Sequence, residues 1–197
     1  MVAVQVNLFA RTVLAGLLLF SVLVSPLVRA AAPVEPVSEA IAQTKANVVF
    51  MRHALAPGYG DPEYFSINDC STQRNLDAAG RRQAEDIGRY FRKHNVIFTS
   101  ILSSRWCRCT ETAERLNIGD WTAFDGLNSF FQNHADRKHT LRLLNTKLDS
   151  LSSDDLVLMI THQVVINAIT GISPPSGGLV VYNTQTREAK AVRVARP

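Results

Sequence analysis

The stretch Val48-Val49-Phe50-Met51-Arg52-His53-Ala54 decides how the rest of the chain is read. Four apolar residues in succession suit a strand covered on both faces, as in a parallel sheet, rather than an alternating edge strand. Such a strand delivers Arg52 and His53 at its C-terminal end, where α/β sheets bind their ligands. The same grammar recurs downstream. Ile101-Leu102 runs into Ser103-Ser104-Arg105, and Leu156-Val157-Leu158-Met159-Ile160 runs into Thr161-His162.

Helical patterns fill the intervals. From Leu76 to about Lys93 the residues Ala84, Ile87, Gly88 and Phe91 share one face, with Asp77 as the N-cap. Cys107 to Leu116 reads as a helix, and Arg137 to Leu151 as another with Leu141, Leu144, Leu148 and Leu151 on its apolar side. Val164 to Thr170 is a further helix, and Leu179–Tyr182 with Ala191–Val194 forms a terminal hairpin. Strands alternating with helices imply an α/β domain, a three-layer α/β/α sandwich with a mostly parallel central sheet. The connection from Ala54 to Asn75 is long and carries the turn residues Pro57, Gly58, Gly60, Asp61 and Pro62. Loops of that length in a compact domain are often functional.

Upstream of the first strand the composition changes. Arg11 precedes an uncharged run, Thr12 to Val24, that ends at Ser25-Pro26, and Val28-Arg29-Ala30 offers small residues at the positions a signal peptidase reads. Residues 1–30 are therefore expected to be a signal peptide cut after Ala30, with export to the periplasm or beyond. The alternative is an uncleaved membrane anchor over residues 1–28. Residues 31–46, rich in Ala, Pro and Glu, read as a linker with at most one helical turn, and residues 47–197 as the single folded domain.

Of 197 residues 46% are hydrophobic and 19% charged, which suits one globular core and argues against a disordered chain. Without Arg11 and Arg29 the 21 basic residues become 19 against 17 acids, a net charge of +2. That balance, with no Lys/Arg run, gives no reason to propose nucleic acid as a partner, or a membrane beyond the N-terminal segment. Cys70, Cys107 and Cys109 do not make a closed zinc site, because one Cys-x-Cys faces a single distant cysteine. One disulfide and one free thiol fit an oxidising compartment better.

Three further stretches stand in register with the Arg52-His53 strand. They are Leu76-Asp77-Ala78-Ala79-Gly80-Arg81-Arg82-Gln83-Ala84, Ser103-Ser104-Arg105-Trp106-Cys107-Arg108-Cys109-Thr110-Glu111-Thr112-Ala113, and Thr161-His162. Together they resemble the histidine phosphatase, or phosphoglycerate mutase-like, superfamily, over essentially Val48 to Gly171. The resemblance implies a catalytic His53 that takes up the phosphoryl group, with Arg52, Arg108 and His162 binding its oxygens. Arg105 falls at a variable position, a candidate for the lip of the pocket. Planar guanidinium forks suit a phosphate dianion, and a neutral imidazole suits in-line attack. No metal and no other cofactor is needed for that chemistry. In size and layout the chain is similar to small exported members that act on phosphorylated lipopolysaccharide core sugars, which implies a sugar phosphate or envelope glycan as substrate.

The chain departs from that pattern in three places. Ala54 replaces the usual glycine, and its methyl group is expected to narrow the pocket. Ser129 stands about where the family's general acid belongs, and Gln163 where larger members have an aspartate. Asp61, Asp69, Asp125 and Asp136 are remaining acids, each better suited to a turn or cap. Cys109 takes the family's small, buried position, so Cys107 is the expected partner of Cys70. Without an assigned acid, a substrate with a good leaving group is expected. Two other readings keep the fold: a phosphate- or partner-binding module that has lost turnover, and a phosphomutase.

Overall fold

The computed structural model describes Met1 and residues 36–194. The signal segment expected over residues 1–30 lies outside the described residues. In chain order the elements are α1 (Val37–Thr44), β1 (Val48–Arg52), α2 (Ala78–Lys93), β2 (Ser100–Ser103), α3 (Cys107–Leu116), β3 (Thr122–Ala123), α4 (Arg137–Asp149), β4 (Val157–Thr161), α5 (Gln163–Thr170), β5 (Leu179–Tyr182) and β6 (Ala189–Val192). The six strands form one sheet in the order β3-β2-β4-β1-β5-β6. β3, β2, β4 and β1 run parallel, whereas β5 and β6 return antiparallel along one side.

The apolar runs split between two layers because successive side chains of a strand point to opposite faces. Val49 and Met51 of β1, with Leu158 and Ile160 of β4, pack under Ile87 and Phe91 of α2 and Cys109, Ala113 and Leu116 of α3. Val48 and Phe50, with Val157 and Met159, pack under Leu144 and Leu148 of α4 and Val165 and Ile166 of α5. A strand that is buried on both faces cannot alternate polar and apolar, which is why these runs are continuous. The architecture is the α/β/α sandwich.

Two elements differ from expectation. Residues 37–44, expected within a linker, form α1, and the folded unit begins before Asn47. Val37, Ala40, Ile41 and Thr44 make a helical stripe, three of them buried, that packs against β5 and β6. β3 is only two residues long and carries no sequence pattern. Among the described residues no helix is long and apolar enough to cross a membrane.

The motif residues outside the site hold the loop after β1 in place. Gly80 is required by a close approach: a Cβ there would lie 1.9 Å from the Leu55 carbonyl oxygen. Gln83 of α2 accepts the Leu55 N–H at 2.9 Å and donates to the Ser176 carbonyl at 2.9 Å. Thr112 of α3 accepts the Ala54 N–H at 3.0 Å and donates to the Arg108 carbonyl at 2.6 Å. Asp77 caps α2 by accepting the Gly80 N–H at 2.7 Å.

Candidate active site

Three neighbouring parallel strands end on one edge of the sheet. β1 presents Arg52 and then His53, β4 presents His162, and the turn after β2 leads to Arg108 in the first turn of α3. The ends are held in register by the His53 N–H on the Thr161 carbonyl and the Ser104 N–H on the Ile160 carbonyl, both 2.9 Å. Arg52, His53, Arg108 and His162 line one cavity of about 150 Å³ together with Tyr59, Arg74, Ser129, Phe131 and Gln163. A larger cavity of about 460 Å³ lies between α2 and the 175–178 turn, but none of its lining residues is a histidine or cysteine. The chemistry-bearing side chains converge on the smaller one.

His53 is 2% exposed. Its Nδ1–H donates to the Ala54 carbonyl at 2.8 Å, and its Nε2 accepts from Nε of Arg108 at 3.2 Å. Nε2 is therefore the unprotonated ring nitrogen, and its lone pair points at the Arg108 N–H. Burial, and then the charge of Arg108, hold the His53 imidazole well below its ordinary pKa, which keeps it neutral at pH 7. His162 is depressed in the same way, first by burial and then by Arg108. Its Nδ1 lies 3.5 Å from Nη2 of Arg108, and its Nε2 lies 2.9 Å from Ser104 Oγ, which donates onward to Asn128 Oδ1 at 3.2 Å. That chain fixes the ring edge-on to Trp106, with centroids 5.3 Å apart.

The arginines are presented differently. Arg52 donates one Nη1–H to the Pro174 carbonyl at 3.1 Å, while its Nε is buried with no partner. A buried guanidinium N–H without an acceptor is costly, and an anion in the cavity would satisfy it. Arg108 meets Asp61 end-on, with Nη1 on Oδ1 at 2.8 Å and Nη2 on Oδ2 at 3.1 Å, both side chains 4% exposed. Burial alone would raise the Asp61 carboxyl, but its hydrogen bonds and attraction to Arg108 outweigh this and hold it below the usual carboxylate range. Arg74, which carries no family motif, donates to the Gly60 carbonyl at 2.9 Å and to the Ala56 carbonyl.

Other expected residues fall elsewhere. Arg105 does not line the cavity; its guanidinium turns out to Asp125 at 3.6 Å, both more than half exposed. The Ala54 methyl does not narrow the cavity either, because it packs with Ala56, Leu76 and Ala84. Asp69 caps the short turn at Ser71 and Asp136 caps α4, while no Asp or Glu lines the cavity. Cys70 and Cys107 are joined, with Cα atoms 5.7 Å apart, and Cys109 is a buried free thiol whose pKa burial pushes up to about 12. Two aromatic residues, Tyr59 and Phe131, line the cavity, in an edge-to-face pair at 5.2 Å. Trp106 is instead buried beneath it, stacked on Phe65.

Sequence reasoning missed Arg74, and it read Asp61, one of the remaining acids, as a turn residue and not as the partner of Arg108. The available signal was the long, turn-rich connection from Ala54 to Asn75, which is where both reside.

No protein-family model matches the sequence, and no curated protein does. Solved structures do match. A structure assigned as the phosphohistidine phosphatase SixA of Agrobacterium tumefaciens aligns at 21% identity over 78% of this chain and 99% of its own, with a TM-score of 0.51. One with the same assignment from Nakamurella multipartitia aligns at 17% over 76% and 95%, with a TM-score of 0.51. A mycobacterial glucosyl-3-phosphoglycerate phosphatase in complex with VO3 aligns at 13% over 74% and 96%, with a TM-score of 0.52. The chain shares the phosphoglycerate mutase-like fold of these structures.

Proposed function

We propose that the chain is a metal-independent phosphomonoester hydrolase that acts through a phosphohistidine intermediate on His53. The observation that carries this reading is the neutral His53 with its Nε2 lone pair facing a guanidinium, inside a cavity that Arg52, Arg74 and Arg108 supply with positive charge. Nε2 attacks phosphorus in line and the bond from phosphorus to the leaving oxygen or nitrogen breaks. Arg52, Arg108 and His162 hold the equatorial oxygens as charge redistributes. Water then cleaves the P–N bond, releases inorganic phosphate and restores His53. Positive charge from three arginines does the electrostatic work that a cation would do elsewhere.

The cavity lining has no carboxylic acid, with Ser129 at the position where one was sought. This favours a substrate whose leaving group needs no proton from the protein, such as a phosphoramidate already protonated on nitrogen or an anomeric sugar phosphate. Two of the fold relatives are called phosphohistidine phosphatases and one a glucosyl-3-phosphoglycerate phosphatase, so both classes belong in the assay. Export through residues 1–30 is part of the proposal, and a Cys70–Cys107 disulfide supports an oxidising compartment, with an envelope sugar phosphate as one candidate substrate.

The test is hydrolysis of p-nitrophenyl phosphate without added metal, alongside His53→Ala and a series of aryl phosphates of graded leaving-group pKa. Loss of turnover by 10³-fold or more in the variant, on the order expected for removing a nucleophile, and a steep leaving-group dependence are expected. Equal rates with and without His53 would leave a phosphate-binding module. A flat dependence with phosphorylation rate-limiting would sink the leaving-group argument.

A further inference from the structure

We propose that Asp61 is a positioning residue for this reaction: it occupies the end of the Arg108 guanidinium, turns the side edge toward the phosphoryl group, and sets the charge of the site. The proposal rests on the reading of His53 as nucleophile. A guanidinium offers forked edges, one at its end through both Nη atoms and one at its side through Nε. Here the end is filled by the two Asp61 oxygens at 2.8 and 3.1 Å. The side edge faces the histidines, with Nε 3.2 Å from His53 Nε2 and Nη2 3.5 Å from His162 Nδ1. A phosphoryl group arriving on His53 therefore meets Arg108 from the side.

Asp61 is itself held from several directions. Its Oδ1 also accepts the Arg74 N–H at 3.0 Å, and its Oδ2 accepts the Trp106 indole N–H at 3.1 Å. Its backbone N–H donates to Gln132 Oε1 at 2.8 Å, and its carbonyl accepts from Gln132 Nε2 at 3.3 Å. Four N–H groups on one desolvated carboxylate make a fixed anchor, whereas an aspartate that only shapes a turn needs none of the long-range ones. Charge is the second consequence. Arg52, Arg74 and Arg108 bring three positive charges to the cavity and the histidines bring none. Asp61 lowers the sum to two, the charge of a phosphate dianion. Without it, Arg108 would be free to grip the ground-state phosphate end-on.

Steady-state kinetics with p-nitrophenyl phosphate on the full chain, with inorganic phosphate as competitive inhibitor, tests this through Asp61→Asn. The expected result is a split: kcat falls by about 10²-fold, the cost of a misplaced group, while KM and the phosphate inhibition constant fall by roughly tenfold because one buried countercharge is gone. Unchanged kcat, or a loss of kcat with KM unchanged or raised, would overturn the proposal, since damage to the fold alone does not tighten anion binding. If Asp61→Asn does not fold, Asp61→Glu keeps the charge and moves the carboxylate. KM near that of the wild type with kcat down by about tenfold or more is then expected, and wild-type kcat would refute positioning. If wild-type turnover proves independent of His53, the function reading fails by itself. Calorimetry with inorganic phosphate then decides for Asp61: tighter binding to the Asp61→Asn protein, or to Asp61→Ser if that one does not fold, supports a role on Arg108, and equal or weaker binding overturns it.

Discussion

His53 and His162 are buried and neutral in the folded chain, and that couples the chemistry to stability. Both imidazoles sit well below their ordinary pKa, through burial and then the charge of Arg108. The unfolded chain takes up protons below about pH 6.5 that the folded chain refuses, so stability falls as pH drops through that value. Each histidine contributes a slope of up to about 1.4 kcal/mol per pH unit. Urea unfolding between pH 7 and pH 5 is expected to show the loss, and His53→Gln with His162→Gln to flatten it; a flat wild-type profile would contradict the depressed values. Asp61 acts in a lower window. Its carboxyl is held below the ordinary value, so its contribution is present above that value and is lost as pH falls beneath it.

At the scale of elements, what the sequence made legible was whatever has a strong period or a cap. Asp77 and the Ala84, Ile87, Gly88, Phe91 face defined α2 closely, and the apolar run at 156–160 defined β4 to within a residue at each end. α1 was lost because Ala, Pro and Glu signal a linker by composition, while Val37, Ala40, Ile41 and Thr44 become a stripe only when β5 and β6 lie beneath them. The Ala54–Asn75 connection was legible as a loop but not as a wall of the site. It is fastened by the Cys70–Cys107 disulfide across a separation of 37 residues, and by the Cys107 N–H donated to Gln73 at 2.9 Å. Chain-entropy arguments give such a crosslink roughly 3 to 4 kcal/mol. Replacing both cysteines with serine is expected to lower the unfolding free energy in urea by that order and to raise KM, because the loop carries Asp61 and Arg74. Unchanged stability and KM would show that the loop is held by its hydrogen bonds alone.

Across the whole molecule, the site exists because sheet order differs from chain order. β4 lies between β1 and β2, so His162 arrives beside His53 although 109 residues separate them in sequence. No local pattern encodes that adjacency; the resemblance to a known superfamily implied it, and the fold places Arg52, His53, Arg108 and His162 around one cavity. The Asp61–Arg108 pair was illegible for a related reason, since an aspartate in a turn and an arginine on a helix acquire a shared role only through tertiary contact. The central claim concerns one atom, Nε2 of His53. Rapid quenching of the first turnover of p-nitrophenyl phosphate into alkali, followed by mass spectrometry of the peptide containing His53, tests it most directly. The account predicts phosphate on His53 Nε2 that forms and decays within the turnover time and is absent from His53→Ala; turnover with no phosphohistidine at His53 at any time point would contradict it.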